Sequence, residues 1–451
     1  MVALTFFLLS GEEAKSDSMI VLDKIKEIQI STKDMMCDYS YEDHIKLFFN
    51  FDYPKILITD NESPIVAFVD EQSEKLIFAE VSETGVNYLK IMSPFGGRDD
   101  WRRWPVIFIK DDKIYIAIKK ENKWYERRGV NIFTMDRETR EISLYKDVTP
   151  VESGAFYSTD IYPFNDSYVI VGNGYTSCWR DIGSLFTKGH MVTYEKKYSQ
   201  RWGNKVGHER QIIDGGCFNA ERPAYSVSSS GVFHSAWIRN TTRQEISLEF
   251  DDTVFYAENK TGDKWSTPLK LYPIEISDKK RFIKDLSMAH YKHSTFVLWC
   301  DASKGYFFAE IQNGELVEVK QIMDIRTFSD GYPLPRSLEA KITSDSNGNI
   351  YCLMSVQYGP RWDDGQLILK ARINGKWLDG IVITDDVARL PDIKVDKKGG
   401  IHIAYIKYPK GHRKEKLSME ELKQELEKKK HASCHYVRMN LDEIMKNEEH
   451  P

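Results

Sequence analysis

Apolar and polar positions alternate in short runs, separated by turn residues, from about residue 50 to residue 408. The segment Ala224–Ile238 shows the unit, because a short strand leads through a turn at Gly231 to a second strand rich in aromatic and β-branched residues. Similar phrases begin near residues 55, 106, 159, 224, 286, 338 and 391, and two further strands follow each of them. Four-stranded units that recur about every 50 residues are typical of a propeller, in which sheets stack radially to bury both faces.

This repeat predicts an all-β fold, a seven-bladed β-propeller over residues 24–440. The first and third units are the weakest copies, so six or eight blades are the alternative counts. The segment from Lys24 to Ile30 precedes the first unit. We expect it to add the outer strand of the last blade and so close the ring.

Both ends of the chain depart from the repeat. Ser418 and Glu421 have the spacing of a capping box, which predicts a short helical insertion over residues 412–432 in the last blade. A C-terminal tail over residues 441–451 is expected to begin with a second short helix. Residues 1–23 contain an apolar run without a basic start, and we interpret them as a signal-peptide remnant or a disordered segment. A secreted or cell-surface location is therefore one option, and the sequence does not decide it.

Composition narrows the classes of partner. Lys and Arg number 63 against 68 Asp and Glu, so the formal net charge is −5 and nucleic acid is not an expected partner. No segment approaches the roughly 20 apolar residues that a membrane-spanning helix needs, so no membrane span is predicted. The six cysteines are scattered without a Cys-x-x-Cys pair, which favours buried thiols. We predict no metal and no cofactor.

One unit carries a recognisable set of motifs. Its strand contains His234-Ser-Ala-Trp237, its third strand reads Val254-Phe-Tyr-Ala257, and its turn reads Gly262-Asp-Lys-Trp265-Ser-Thr-Pro268. These motifs resemble the sialidase-like (BNR-repeat) β-propeller superfamily, where both the strand and the turn recur from blade to blade. The Asp-box of that superfamily has Ser or Thr and Asp before the glycine, whereas Glu258 and Lys260 stand at those places here. The resemblance implies the fold more directly than the reaction, since one propeller hosts many functions.

Four arginines stand beside a proline where first strands are predicted to begin: Arg103, Arg222, Arg336 and Arg389. If the repeat is in register, their guanidinium groups meet at one pole and suit a carboxylate or a sulfate through charge-assisted hydrogen bonds. The sialidase-like superfamily likewise uses an arginine cluster for the carboxylate of its substrate. The alternative is that each arginine pairs with a neighbouring acidic residue and ties two blades together. Both interpretations stay open.

Long connections hold the other candidate residues, because function in propellers concentrates in loops. The segment 172–214 contains the tryptophans predicted to bind substrate, Trp179 and Trp202, and two candidate catalytic histidines, His190 and His208. Three further catalytic candidates follow along the chain: Glu221, Asp330 and Tyr332. A Tyr or carboxylate nucleophile with a separate acid would serve sialidase-type hydrolysis. A His with a Tyr would instead serve β-elimination from an acidic polysaccharide.

Two functional hypotheses follow. The first is a carbohydrate-active enzyme that acts on an acidic oligosaccharide or polysaccharide, either as a sialidase-like glycoside hydrolase or as a polysaccharide lyase. The second is a non-catalytic β-propeller that binds a glycan or a protein partner. The degenerate turn motif and the lack of a recognisable nucleophile–base pair favour the second. The arginine set and the aromatic-rich connection favour the first.

Overall fold

The structure describes the backbone of most of the region in which the strand repeat was predicted. The computed structural model describes residues 19–21, 25–33, 35, 54–58, 63–70, 75–92, 106–110, 113–120, 129–136, 139, 141–148, 155–164, 167–175, 189–195, 209–212, 219–228, 230–240, 252–260, 265–272, 283–324, 338–358, 364–408 and 432–441. Strands form all thirty elements of this part of the chain. Leu441, the last residue described, has helical backbone. The predicted all-β class is confirmed.

The strands are numbered along the chain, and the first two are β1 (Met19–Val21) and β2 (Glu27–Gln29). The first sheet contains β3 (Lys55–Ile58), β4 (Pro64–Asp70), β5 (Lys75–Ser82) and β6 (Gly85–Met92). The second sheet contains β7 (Val106–Lys110), β8 (Lys113–Lys120), β9 (Gly129–Met135) and β10 (Ile142–Val148). The third sheet contains β11 (Ala155–Phe164), β12 (Ser167–Tyr175), β13 (Gly189–Glu195) and β14 (Glu209–Ile212).

The remaining sheets follow in the same order. The fourth sheet contains β15 (Asn219–Val227), β16 (Phe233–Asn240), β17 (Asp252–Asn259) and β18 (Leu269–Tyr272). The fifth sheet contains β19 (Ile283–Tyr291), β20 (Ser294–Asp301), β21 (Gly305–Gln312) and β22 (Glu315–Asp324). The sixth sheet contains β23 (Leu338–Ser344), β24 (Ile350–Tyr358), β25 (Asp364–Ile373), β26 (Lys376–Trp377) and β27 (Gly380–Thr384). The seventh sheet contains β28 (Ala388–Val395), β29 (Gly400–Lys407) and β30 (Ser433–Asn440).

Each sheet is a meander in which consecutive strands pair antiparallel. The first strands of the seven sheets begin at or within a few residues of the seven predicted starts. The sequence pattern predicted these starts because the conformation of a hairpin turn depends on the few residues within it. In the turns between first and second strands, the φ values are 79° at Gly231, 87° at Gly348 and 82° at Gly399. Glycine reaches this left-handed region without the steric cost that other residues meet.

The N-terminal strands complete two sheets. β2 pairs antiparallel with β30 as the outer strand of the seventh sheet, which confirms the expectation for the segment from Lys24 to Ile30. β1 pairs in parallel with β27 at the outer edge of the sixth sheet, a pairing that the sequence analysis did not anticipate. Residues 412–431 of the predicted helical insertion lie outside the described residues.

Successive sheets pack face to face through apolar side chains. First strands of neighbouring sheets contact one another in the first three sheets and from the fourth to the seventh, and β28 of the seventh sheet contacts β3 of the first. Between the third and fourth sheets, β12 and β13 contact β15. Second strands whose side chains are described are buried on both faces, as in β4, where all seven residues are buried, and in β29, where the first seven are. Large side chains fill the spaces between sheets, such as Trp299 and Tyr256 between the fourth and fifth. Aromatic side chains of this size bury a large apolar area and contribute strongly to such a core. The arrangement is that of a propeller.

Two further expectations concern cysteines and membranes. Cys300, Cys352 and Cys434 are buried thiols that form no disulfide, as predicted, and the other three cysteines lie outside the described residues. Among the described residues there is no helix with the length and apolar character to cross a membrane.

Candidate functional site

The two ends of each sheet carry different connections. Because neighbouring strands are antiparallel, the hairpins between first and second strands and between third and fourth strands share one end, here called the lower end. The first strands begin at the other end, here called the upper end, where the connections between second and third strands also lie. In the seventh sheet, Ala388, Lys407 and Ser433 form one row across three strands at this upper end.

The predicted arginines belong to the upper end, and Arg389 is the one whose side chain is described. It is the second residue of β28, and its strand bulges between Arg389 and Asp392. Arg222 lies in a corresponding bulge of β15, between Glu221 and Ala224, where the backbone but not the side chain is described. Arg103 and Arg336 lie outside the described residues.

Arg389 meets a carboxylate of the neighbouring sheet. Its Nη2 lies 3.5 Å from Oε1 of Glu339, the second residue of β23 in the sixth sheet. The backbone N–H of Leu390, a residue with φ of 52°, donates a hydrogen bond to Oε2 of the same carboxylate. Both charged side chains are largely buried, with 14% and 13% of their surfaces exposed. Arg389 therefore contacts an acidic residue of the neighbouring sheet, and its contact with an anion stays a prediction.

Burial dominates the electrostatics of Glu339. It raises the pKa of this carboxyl group above its usual value, and the nearby Asp285 acts in the same direction. The Arg389 guanidinium and the Leu390 N–H oppose this shift without cancelling it. A carboxyl group with a raised pKa holds its proton at a pH where an ordinary glutamate has lost it, so Glu339 is suited to donate a proton.

The contact of Glu339 with Leu390 is one case of a repeated device. Asp285 Oδ2 of the fifth sheet accepts a hydrogen bond of 2.9 Å from the Ala340 N–H of the sixth. Asp392 Oδ2 of the seventh sheet accepts one of 2.7 Å from the Ile56 N–H of the first. The first strand is the inner edge of its sheet, so half of its N–H groups have no partner within the ladder. Carboxylates of the preceding sheet satisfy them.

The positive pole predicted from the four arginines stays a prediction, because the side chains of Arg103, Arg222 and Arg336 lie outside the described part of the structure. Three carboxylates, those of Asp285, Glu339 and Asp392, line the first strands beside one described guanidinium. Sequence reasoning missed these carboxylates. The sequence does contain a signal for them, because an acidic residue stands near the start of each of three successive predicted first strands.

The remaining candidates are only partly placed. Glu221 pairs with Ile238 at the upper end of the fourth sheet, and His190 pairs with Gly174 at the upper end of the third. Trp179, Trp202, His208, Asp330 and Tyr332 lie outside the described residues. The connection with Trp202 and His208 leaves β13 at Glu195 and enters β14 at Glu209, a pair at the lower end of the third sheet. His190 and the ends of this connection thus lie at opposite ends of that sheet.

No group of three or more His, Cys, Asp or Glu side chains in the described ranges could hold a metal ion. Besides Lys407 and Ser433, the described side chains named above give the upper end acid–base groups and one guanidinium. These groups can bind an anion, donate a proton or hold neighbouring sheets together.

Comparison with known proteins adds a likeness of fold. No family model matches the chain, and no curated protein matches it. Similar solved structures include the Penicillium chrysogenum α-L-arabinanase complexed with arabinobiose, at 8% identity over 92% of this chain and 98% of that one, with a TM-score of 0.44. The phage phi92 endosialidase matches at 8% identity over 92% of this chain and 69% of that one, with a TM-score of 0.46. A Trypanosoma rangeli sialidase mutant matches at 8% identity over 87% and 58%, with a TM-score of 0.40.

Proposed function

We propose that this chain is a carbohydrate-active β-propeller, that its seven sheets are the blades of one closed ring, and that an acidic oligosaccharide or polysaccharide binds at the upper end. The pairing of Arg389 with Glu339 is the observation that carries the proposal. A guanidinium group recognises carboxylates and sulfates, and a glutamic acid with a raised pKa donates a proton to a leaving oxygen. The arabinobiose complex and the sialidases named above are likenesses of fold, and the proposal depends on the residues at the upper end.

The roles divide as follows. Arg389, with Arg222 at the corresponding bulge of the fourth sheet, would hold the acidic group of the glycan. Glu339 would protonate the departing oxygen, either in hydrolysis or in elimination. Tyr332, Asp330, Glu221 and the histidines His190 and His208 stay the candidates for nucleophile or base. Arg103, Arg336, Trp179 and Trp202 stay the candidates for further substrate contacts.

Binding to a panel of sialylated, uronate-containing, sulfated and neutral oligosaccharides tests the proposal. Arg389→Ala should weaken binding of the acidic members about tenfold to a hundredfold, because a charge-assisted contact contributes roughly 1.5–3 kcal/mol. Arg372→Ala is a matched control, since Arg372 Nη1 lies 2.7 Å from Glu310 Oε2 and joins the sixth and fifth sheets at the lower end. Equal losses in the two variants, or no binding of any acidic glycan by the unaltered protein, would refute the proposal.

A second candidate function is a non-catalytic glycan-binding propeller. The observation that favours it is the shared arrangement of Glu339, Asp285 and Asp392, each of which accepts a backbone N–H of the next sheet. Glu339→Gln separates the two functions, because glutamine keeps an acceptor oxygen for Leu390 but has no acidic proton. The enzyme hypothesis expects turnover to fall at least a hundredfold with binding retained. The binding hypothesis expects no turnover by either protein and equal affinity.

A further inference from the structure

The upper end of the seventh sheet contains a second group of reactive side chains, separate from Arg389 and Glu339. The hydroxyl of Ser433 lies 2.8 Å from Nε2 of His435, two residues further along β30. Nδ1 of the same imidazole lies 3.1 Å from Oε1 of Glu27, on β2. A serine, a histidine and a carboxylate thus follow one another in the order that nucleophilic catalysis requires.

The three side chains meet because of the way the seventh sheet is completed. Residues two apart on a strand share a face, so Ser433 and His435 project to the same side of β30. Glu27 pairs with Val437 and Gln29 with His435, so β2 brings the carboxylate to that same face. The nucleophile and the base thus come from one end of the chain, and the carboxylate comes from the other.

Glu27 is held as a carboxylate by its neighbours. Burial would raise its pKa, but contacts with His435, Lys407 and Tyr405 lower the pKa to about 2. Lys407 Nζ lies 2.8 Å from Oε2 of Glu27, and the Tyr405 hydroxyl donates to Oε1. Nδ1 of His435 makes no hydrogen bond to a described residue but faces this carboxylate at 3.1 Å, and the negative charge of the carboxylate favours the tautomer of neutral His435 that carries its proton on Nδ1. Nε2 is then the acceptor that can take the proton of Ser433.

The constellation is open enough for a reaction. Ser433 is half-buried, and 28% of the Glu27 side chain is exposed, whereas His435 is 10% exposed between them. The Tyr405 ring stacks on His435 with 5.9 Å between centroids and 22° between planes, which restricts the imidazole. The similar hydrogen-bonded group of His402 and Asp396 is fully buried and has no such access.

We propose that Ser433, His435 and Glu27 form a serine-nucleophile site that cleaves a small carboxylic ester. The Ser433 oxygen attacks the ester carbonyl carbon while His435 Nε2 takes the hydroxyl proton. The bond from the carbonyl carbon to the alkoxy oxygen then breaks, and His435 returns the proton to the departing alcohol. Water next attacks the acyl-serine, with His435 as base, which releases the carboxylic acid and restores the Ser433 hydroxyl. Glu27 is a positioning residue that orients His435 and stabilises its protonated form.

Covalent labelling of the full chain with a fluorophosphonate tests the nucleophile. The label should attach to Ser433, identified by peptide mass spectrometry, and it should be lost in Ser433→Ala and His435→Gln. Ser294→Ala is the matched control and should label as the unaltered protein does, because the half-buried Ser294 hydroxyl donates to Glu310. A folded, unaltered protein that takes no label at Ser433, or a label that persists in folded Ser433→Ala, overturns the proposal.

Hydrolysis of p-nitrophenyl acetate tests the reaction and the role of Glu27. Ser433→Ala should lower kcat/KM at least a hundredfold while circular dichroism shows an unchanged fold. Glu27→Gln should lower kcat and move the inflection of the pH–rate profile to lower pH, because the protonated imidazole loses its carboxylate. A purely structural Glu27 would leave that inflection in place, and such a result, or equal rates for Ser433→Ala and the unaltered protein, contradicts the proposal.

Discussion

Two histidines occupy the same place in different sheets, and their surroundings differ. His234 in the fourth sheet and His402 in the seventh each stand three residues after the glycine of the first hairpin. Both are buried. Each places Nδ1 beside the hydroxyl of a third-strand tyrosine, at 2.7 Å from Tyr256 and 2.6 Å from Tyr436. The repeat thus reproduces the position and one partner of the histidine.

The second partner depends on one residue of the turn. In the seventh sheet, Asp396 Oδ1 accepts hydrogen bonds from the N–H groups of Lys398 and Gly400, and Oδ2 lies 3.1 Å from His402 Nε2. In the fourth sheet, Ser228 stands at that place and accepts a hydrogen bond from the Val232 N–H. A serine hydroxyl does not extend far enough to serve both the turn and the histidine.

The electrostatic result differs accordingly. Burial, with the nearby His290 and Lys260, lowers the pKa of His234 to about 3, so this histidine is neutral. His290 stacks on it with 4.6 Å between ring centroids. For Asp396, burial would raise the pKa, but His402 and the turn N–H groups lower it, so the carboxylate is ionised. The fourth-sheet histidine is thus neutral and stacked on His290, whereas the seventh-sheet histidine lies beside an ionised carboxylate that the turn supplies.

The largest expected effect is that of removing the carboxylate. Asp396→Ala leaves two turn N–H groups and a buried histidine nitrogen without their acceptor, and we expect a loss of roughly 3–5 kcal/mol in the free energy of unfolding. Ser228→Ala, the matched change, should cost only about 1 kcal/mol. Urea unfolding followed by circular dichroism measures both. Similar losses in the two variants would show that the turn residue does not distinguish the sheets.

The next largest effect is a loss of stability at acidic pH that comes from His234. An unfolded histidine takes up a proton near pH 6.5, whereas His234 in the folded protein does so near pH 3. Its contribution to stability is therefore intact above pH 6.5 and is lost progressively as the pH falls toward 3. Between pH 7 and pH 5 the loss should be about 2 kcal/mol.

Unfolding measured at pH 7 and pH 5 checks this contribution. His234→Gln should remove it, so that the free energy of unfolding falls by about 2 kcal/mol less over that interval than in the unaltered protein. His293→Gln is the control, because His293 is exposed in the neighbouring hairpin turn. If the free energy of unfolding depends on pH in the same way in both variants, His234 is not the source of the acid-induced loss.

The smallest effect comes from converting one turn into the other. Ser228→Asp places a carboxylate where Asp396 stands in the seventh sheet, so the pKa of His234 should rise. A rise of one pKa unit from about 3 stabilises the folded protein by about 1.4 kcal/mol, but only at a pH below about 3, so the loss between pH 7 and pH 5 should change by less than about 0.1 kcal/mol. Nuclear magnetic resonance titration of the His234 ring protons measures the shift directly. An unchanged or lower pKa would mean that features other than the turn residue set the charge of this site.

Short-range patterns in the sequence determined the strands of this protein. The starts of first strands, the hairpins at Gly231, Gly348 and Gly399, and the outer strand supplied by residues 27–29 all followed from alternation, turn residues and the repeat. These features depend on neighbours a few residues away, where the backbone preferences of individual residues decide the conformation. The pattern also placed Arg389 correctly near the start of a first strand.

The partners of the functional side chains were decided only by the tertiary structure. Glu339 lies fifty residues before Arg389 and reaches it because the sixth and seventh sheets stack. Glu27 meets Ser433 and His435 because β2 completes the seventh sheet from the opposite end of the chain. Hydrophobic periodicity specifies which face of a strand is buried, but not which distant strand will pack against it. The register between sheets sets those distances, and it arises only when the sheets assemble.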